Sequence, residues 1–96
     1  MKIDGNWETK LVYLDGKWLD PGPSQAVWHH ADTFNWGYGG SRPAQLALAI
    51  LLRFTDEQTA VALHQAFEWE HIDTLPRGDF ETEIDVQKWL SEHTKA

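Results

Sequence analysis

Apolar and polar residues alternate along residues 7–14, which is the pattern of a strand with one buried face. The dipeptide Asp15-Gly16 follows at once. It is typical of a two-residue hairpin turn, because both central residues of such a turn need a positive φ. Residues 17–19 supply the return strand. The pattern therefore predicts an antiparallel hairpin.

Two more short strands are predicted before the strand-like segments give way to helical ones. Residues 20–24 are turn formers that end the hairpin, because proline cannot continue a hydrogen-bonded ladder. Residues 26–28 and 34–36 are apolar stretches that we interpret as extended segments. We expect residues 1–38 to form a small antiparallel sheet of three to four strands.

A glycine-rich turn leads into a strongly apolar segment. Three of residues 37–40 are glycine, Ser41 is a favourable N-cap, and Pro43 suits a first helical turn. Gln45 is the only polar residue in 44–52, so this helix is apolar on nearly all sides and should be buried. We interpret the glycines as allowing the helix to pack closely on the preceding strand.

A second helix is predicted after the buried one. Residues 55–58 have the spacing of a capping box, with Thr55 in the capping position. An apolar stripe follows at Ala60, Leu63 and Phe67, and His64 lies off it. This helix should therefore be amphipathic.

The end of the chain allows two interpretations. A third capping signal at 82–85 favours a helix over 79–86 that continues to Leu90, but 79–86 also alternates as a half-buried strand would. We prefer the helix. The predicted fold is a single α+β domain over 1–96, with the sheet packed on a buried central helix and two further helices in the acidic region 44–92.

Composition narrows the class of protein. Ninety-six residues without cysteine support one core and no disulfide or thiolate metal site, and they point to a reducing cytoplasm. The longest apolar run, 46–52, is too short to span a bilayer, so no membrane partner is expected.

Charge is divided unevenly along the chain. Residues 1–53 carry five acidic and five basic residues, whereas 54–96 carry ten acidic and three basic ones, which accounts for the net charge of −7. Such a surface repels phosphate backbones and attracts basic partners. Direct nucleic-acid binding is therefore disfavoured, while binding to a basic protein is not.

Three candidate chemistries arise from short motifs. The amides of Gly39, Gly40 and Ser41, with Arg42 beside them, could hold an anion at a helix N-terminus. The loop lacks the remaining residues of a phosphate-binding motif, however. A weak metal candidate is formed by three residues that share one helical face, namely His64, Glu68 and His71. No nucleophile stands beside a base, so we expect no catalytic residue and no cofactor.

Tryptophan and carboxylate residues supply the remaining candidate. Six tryptophans exceed what a small core can bury completely, and tryptophan is a common interface anchor. Trp36 and Trp89 are assigned to the core. The predicted partner-binding residues are Trp7, Trp18, Trp28, Trp69, Asp79, Glu81, Glu83 and Asp85.

The block from Phe34 to Leu51, FNWGYGGSRPAQLALAIL, resembles the hallmark of an uncharacterised family of small bacterial, phage and plasmid proteins. The chain differs from that family at Arg42, where glycine is usual. The resemblance implies a compact α+β domain and a mobile-element setting, with no activity to transfer.

Two functions are expected from these observations. The first is a non-enzymatic protein-binding module, a phage or plasmid accessory protein that inhibits a host defence or nucleic-acid-binding protein through an acidic, aromatic surface. The alternative is a small-ligand, nucleotide or phosphate-binding domain that uses the glycine turn.

Overall fold

The computed structural model of the protein describes residues 1–94. Its strands are β1 (Lys2–Gly5), β2 (Val12–Leu14), β3 (Lys17–Trp18) and β4 (Phe80–Glu83). Its helices are α1 (Gly22–Val27), α2 (Ser41–Leu51), α3 (Glu57–Phe67) and α4 (Val86–His93). Helix α3 continues into a π-helical turn, Glu68–Ile72.

The four strands form one antiparallel sheet in the order β3-β2-β1-β4. The predicted hairpin is confirmed, because Asp15 has a φ of 49° and Gly16 a φ of 80° in the turn between β2 and β3. The α+β class is confirmed as well. The sheet is not purely amino-terminal, since β4 comes from the carboxyl-terminal region and pairs with β1.

Helix α2 is the centre of the molecule, as its apolar sequence predicts. Every residue from Pro43 to Leu51 is buried. The helix packs along α3 and its π-helical turn, while Ile3, Val12 and Leu14 close the core from the inner face of the sheet. Burial of apolar surface stabilises a domain by about 25 cal/mol per Å². This helix therefore organises most of the hydrophobic core.

Several predicted strands in the first region are wrong. Residues 26–28 belong to or directly follow helix α1, and 34–36 form no strand. Residues 7–9 form a turn, so only the end of the alternating segment is extended. Strand β1 was not predicted. Phe34 and Trp36 are nevertheless core residues, because an irregular segment lays them against the sheet.

The helix ends also differ from the prediction. Gly40 rather than Ser41 is the N-cap residue of α2, and it makes no side-chain capping bond. Asp56 caps α3 by accepting a hydrogen bond from the Thr59 amide, so Thr55 lies outside the cap. An aspartate one residue later offers its carboxylate to the same kind of orphan amide.

The preferred helix over 79–86 is wrong, and the alternative strand is correct for 80–83. Helix α4 begins only at Val86, where Asp85 accepts a hydrogen bond from the Lys88 amide. The alternating side chains of 80–83 fit the edge of a half-buried sheet, and that tertiary pairing outweighs the local capping signal. Two carboxyl-terminal helices are present as expected. No helix within residues 1–94 combines the length and apolarity needed to cross a bilayer.

Candidate functional site

One face of the sheet is open to solvent and carries a row of aromatic and acidic side chains. Register places Trp18 opposite Tyr13, Tyr13 opposite Asp4, and Asp4 opposite Glu81. Directly opposed residues of neighbouring strands project from the same face. Four strands therefore contribute one side chain each to a continuous row, Trp18–Tyr13–Asp4–Glu81, which we call the outer row.

Acidic residues flank the outer row on both sides. Glu83 lies opposite Lys2, on one side of the row. Asp79 directly precedes Phe80, the last paired residue of β4 on the other side of the row. A shallow groove of about 400 Å³ runs along this face, and its lining includes Lys2, Asp4, Asp79 and Glu81. The face thus joins one exposed aromatic end to an acidic end.

Among residues 1–94, Lys2 is the only basic side chain that lines this groove. Its Nζ lies 2.8 Å from Glu81 Oε1, and this hydrogen bond raises the pKa of Lys2. Because both side chains are largely exposed, the ion pair contributes little to stability and can be exchanged for another cation. Four carboxylates, those of Asp4, Asp79, Glu81 and Glu83, leave the face acidic despite Lys2 and the Met1 ammonium, which lies 3.1 Å from Glu83 Oε2.

The structure brings together some of the predicted partner-binding residues. Trp18, Asp79, Glu81 and Glu83 share the open sheet face. Asp79 also fixes the adjoining turn, since its Oδ1 accepts a hydrogen bond of 2.7 Å from the Trp7 amide. These four residues form one surface although 60 residues of chain separate Trp18 from its acidic neighbours.

The other predicted residues lie elsewhere. Trp28 and Trp69 are exposed at 45% and 63%, but Trp28 directly follows α1 and Trp69 lies in the π-helical turn, so neither belongs to the sheet. Trp7 is half-buried, with its ring edge-on to Trp36 and the Lys10 ammonium above it. Asp85 is engaged as the N-cap of α4.

Two residues of the outer row were missed. Asp4 lies on β1, the strand that was not predicted, although Lys2 and Asp4 do alternate there with Ile3 and Gly5. Tyr13 was assigned to a strand without any functional role. The alternation at 2–5 was the signal that could have placed Asp4 on a solvent face.

The glycine corner makes contacts that were not predicted. Gly37 has a φ of 82°, and a side-chain carbon there would lie 2.9 Å from the Leu75 carbonyl oxygen. The corner thus packs against the segment after the π-helical turn. The residues directly before α2 form no strand, so the glycines do not pack the helix on one. The prediction that the glycines allow α2 to pack on a preceding strand is therefore wrong, because Gly37 packs against Leu75 and Arg77 instead.

The anion candidate at this corner faces a carboxylate. The Gly40 amide donates a hydrogen bond of 3.4 Å to Glu68 Oε2, while Ser41 and Arg42 are exposed at the start of α2. Gly39 lies close to the Asp73 carboxylate. An acidic group therefore already occupies the position where a bound anion would meet the Gly40 amide.

Glu68 is an unusual acid. Its side chain is buried, and desolvation, with a hydrogen bond that its protonated carboxyl group donates to Asp73, raises its pKa to about 7. The Asp73 Oδ1 atom is buried without a hydrogen-bond partner among residues 1–94. These two carboxyl groups share a confined space between the π-helical turn and the start of α2.

The three metal candidates do not converge. His64 is buried, contrary to its predicted place off the apolar stripe, and its Nε2 lies 3.0 Å from His30 Nε2. Glu68 faces Gly40, and His71 packs beside Phe67 and Trp89. Within the described part of the chain, no group of three or more potential ligands is arranged around a common point.

His30 and His64 form a hydrogen-bonded pair. The Val61 carbonyl oxygen, 2.7 Å from His64 Nδ1, accepts the proton of that nitrogen, so His64 Nε2 accepts from His30. Desolvation and the neighbouring imidazole lower the pKa of His30. The pair links the loop after α1 to helix α3.

These features define a small α+β domain whose one open sheet face is acidic at one end and aromatic at the other. The chain belongs to a family of unknown function (DUF6166), whose model matches residues 3–92. No significant match was found among curated proteins or among solved structures.

Proposed function

We propose that the protein is a non-enzymatic protein-binding module that docks its open sheet face on a basic surface of another protein. The observation that carries the proposal is the outer row, in which the exposed Trp18 and the half-buried Tyr13 lie in line with Asp4 and Glu81. Exposed aromatic rings supply anchoring area, and carboxylates supply attraction and orientation.

The charge distribution supports a basic partner. The groove along this face contains one basic and three acidic side chains, and its single cation is held by an exposed, exchangeable ion pair. A nucleic-acid-binding protein of the host offers such a basic surface. The proposal therefore includes a phage or plasmid accessory protein, acting in the cytoplasm, that inhibits a host defence or nucleic-acid-binding protein.

The contacts at the glycine corner weigh against a phosphate or nucleotide ligand. A bound phosphate would have to displace the Glu68 carboxylate from the Gly40 amide and lie beside Asp73. Calorimetric titration with inorganic phosphate and with ATP should give no heat at millimolar ligand. A measured dissociation constant in that range would favour the ligand-binding alternative.

Affinity capture with matched variants tests the proposal. Bacterial lysate is passed over the immobilised wild-type protein and three variants: Trp18→Ala, the double variant Asp4→Asn with Glu81→Gln, and Trp69→Ala. Trp69 is the matched control, because it is at least as exposed as Trp18 but lies in the π-helical turn, outside the outer row.

A specific partner should be retained by the wild type and Trp69→Ala and lost by the other two variants. Its retention should also fall as salt rises, because screening weakens attraction between exposed charges. A partner bound equally by all four proteins would contradict docking through this face.

A further inference from the structure

Strand β4 is an edge strand, and its hydrogen-bonding pattern shows which backbone groups are unused. The Ile84 amide donates to the Met1 carbonyl oxygen at 3.0 Å, and the Met1 nitrogen donates to the Ile84 carbonyl oxygen at 3.1 Å. Hydrogen-bonded and non-hydrogen-bonded pairs alternate along an antiparallel ladder. Thr82 and Phe80 therefore bond to β1, and the amides and carbonyls of Glu81 and Glu83 point outwards.

These outward groups are free to bind another chain. Among residues 1–94, β4 pairs with β1 alone, and no other backbone or side-chain partner of the Glu81 or Glu83 amide is present. Both residues are exposed. The edge thus presents two donors and two acceptors at the spacing that one added strand would use.

The side chains along this edge determine what can bind. Glu81 and Glu83 project from the open sheet face, with side chains 65% and 76% exposed. A residue of an added strand directly opposite each glutamate would project from the same face. A second copy of β4 would place carboxylates against carboxylates, which is unfavourable, whereas lysine or arginine would be attracted.

We propose that a partner adds an extended segment to the outer edge of β4 as a fifth strand, with lysine or arginine at every second position, opposite Glu81 and Glu83. This inference rests on the proposed function and names its mode of docking. The added strand lengthens the outer row by one basic residue beside Glu81.

Synthetic peptides test the predicted spacing. The probe is an end-capped peptide of sequence Thr-Lys-Thr-Arg-Thr-Lys-Thr, and the control, Thr-Lys-Arg-Thr-Thr-Lys-Thr, has the same composition but no two basic residues that are two positions apart. Binding to the ¹⁵N-labelled protein is followed by NMR at low salt. The alternating peptide should bind about threefold to tenfold more tightly, because only it has cations two positions apart, as are Glu81 and Glu83 on the facing strand.

A matched pair of variants tests the backbone contact. Glu81→Gln removes the charge and keeps the outward amide, whereas Glu81→Pro removes both. Proline is tolerated on an edge strand where its nitrogen faces solvent, so the ladder to β1 is kept. Glu81→Pro should weaken binding about threefold to tenfold more than Glu81→Gln, which corresponds to one hydrogen bond. Unchanged shifts of core amides confirm that both variants fold.

The outcomes separate this inference from the proposed function. Equal binding of the two peptides, or equal affinities of the two variants, would overturn strand addition while leaving electrostatic docking on the sheet face intact. If the double variant with Glu81→Gln and Glu83→Gln self-associates and this displaces the peptide, a second copy of the chain binds the edge of β4, and the inference is overturned. If neither peptide binds, and if captured partners are retained equally by the Trp18 and the Asp4 and Glu81 variants, the proposed function itself fails.

Discussion

Glu68 shows how a single residue makes stability depend on pH. Its pKa rises from 4.5 to about 7 on folding, so the folded state holds a proton that the unfolded state releases. The stabilising protonated form is fully present below pH 4.5 and is lost as the pH rises through about 7. At pH 8 the buried carboxylate, with Asp73 beside it, destabilises the fold.

Replacing Glu68 with glutamine should remove this loss. The amide oxygen of glutamine can still accept the Gly40 hydrogen bond, and its nitrogen can donate to Asp73. We expect Glu68→Gln to gain about 1–2 kcal/mol relative to wild type at pH 8 and little at pH 5, measured by urea unfolding. The exposed Glu92→Gln is the control and should respond equally at both values. A gain for Glu68→Gln that is independent of pH would contradict the assignment.

His30 makes stability depend on pH in the opposite direction. The pKa of His30 is lowered on folding, so the contribution of its neutral form is present above the ordinary histidine value and is lost as the pH falls below about 6.5. Replacing His30 with glutamine should make the free energy of unfolding less sensitive to acidification between pH 7 and pH 5. The steepness in this window, compared with that of His29→Gln, is the measurement. Equal steepness in both variants would show that the protonation of His30 is not coupled to unfolding.

Gly37 is the one residue of the glycine block that must be glycine. Its φ of 82° is strained for other residues, and a β-carbon would meet the Leu75 carbonyl oxygen and Arg77 Cγ at 2.9 Å. Gly37→Ala should therefore lower the free energy of unfolding by about 2 kcal/mol or more. Gly78→Ala is the control, because nothing lies within 4 Å of the added carbon, and it should change stability by less than about 0.5 kcal/mol. Thermal unfolding of both variants measures the difference. Equal stabilities of the two variants would show that Gly37 is not required for the corner.

At the scale of elements, Gln45 holds helix α1 and its loop against α2. Its Oε1 accepts hydrogen bonds from the His30 and Ala31 amides, and its Nε2 donates to Ser24 Oγ. Gln45→Leu keeps the volume but leaves the Ala31 amide without a partner, and it removes one of two hydrogen bonds from the His30 amide and from Ser24 Oγ. We expect a loss of about 2–4 kcal/mol, although leucine is more apolar. The exposed Gln58→Leu should change stability by less than about 0.5 kcal/mol. Similar effects of the two substitutions would show that the network does not position α1.

The elements that could be predicted from the sequence are those with strong local signals. The Asp15-Gly16 turn and the apolar period of α2 each specify an element without help from distant residues. Helix α1 could not be predicted in this way, because its sequence consists largely of turn formers. The segment is helical where Gln45 forms hydrogen bonds with it, which are contacts to a distant part of the chain. Strand β4 is similar, since its pairing with β1 outweighs a good capping signal.

The candidate site was predictable only in part for the same physical reason. Exposure of Trp18 and the acidity of 79–83 can be inferred from composition, but their meeting depends on a pairing between the two ends of the chain. Such a pairing has no local signal. Asp4 enters the site only through that pairing, so its role appears only in the folded molecule.

For the whole molecule, the net charge of −7 predicts opposite responses to salt. Raising sodium chloride from about 10 to about 100 mM shortens the Debye length from about 30 to about 10 Å. Self-repulsion is then screened, and the free energy of unfolding should rise by a few tenths to about 1 kcal/mol. Partner affinity should fall over the same range, by about tenfold, because the attraction of the open face is screened too. Urea unfolding and calorimetry in matched buffers measure the two responses.

Two double variants with the same net charge show whether the acidic face is responsible for binding. Asp4→Asn with Glu81→Gln removes two charges from the outer row, and Glu57→Gln with Glu92→Gln removes two from the helices. Both should reduce the salt dependence of stability, since self-repulsion depends on total charge. Only the first should reduce the salt dependence of binding, because only its carboxylates face the partner. If both pairs flatten the binding response equally, the partner responds to overall charge, and the open sheet face is not its docking site.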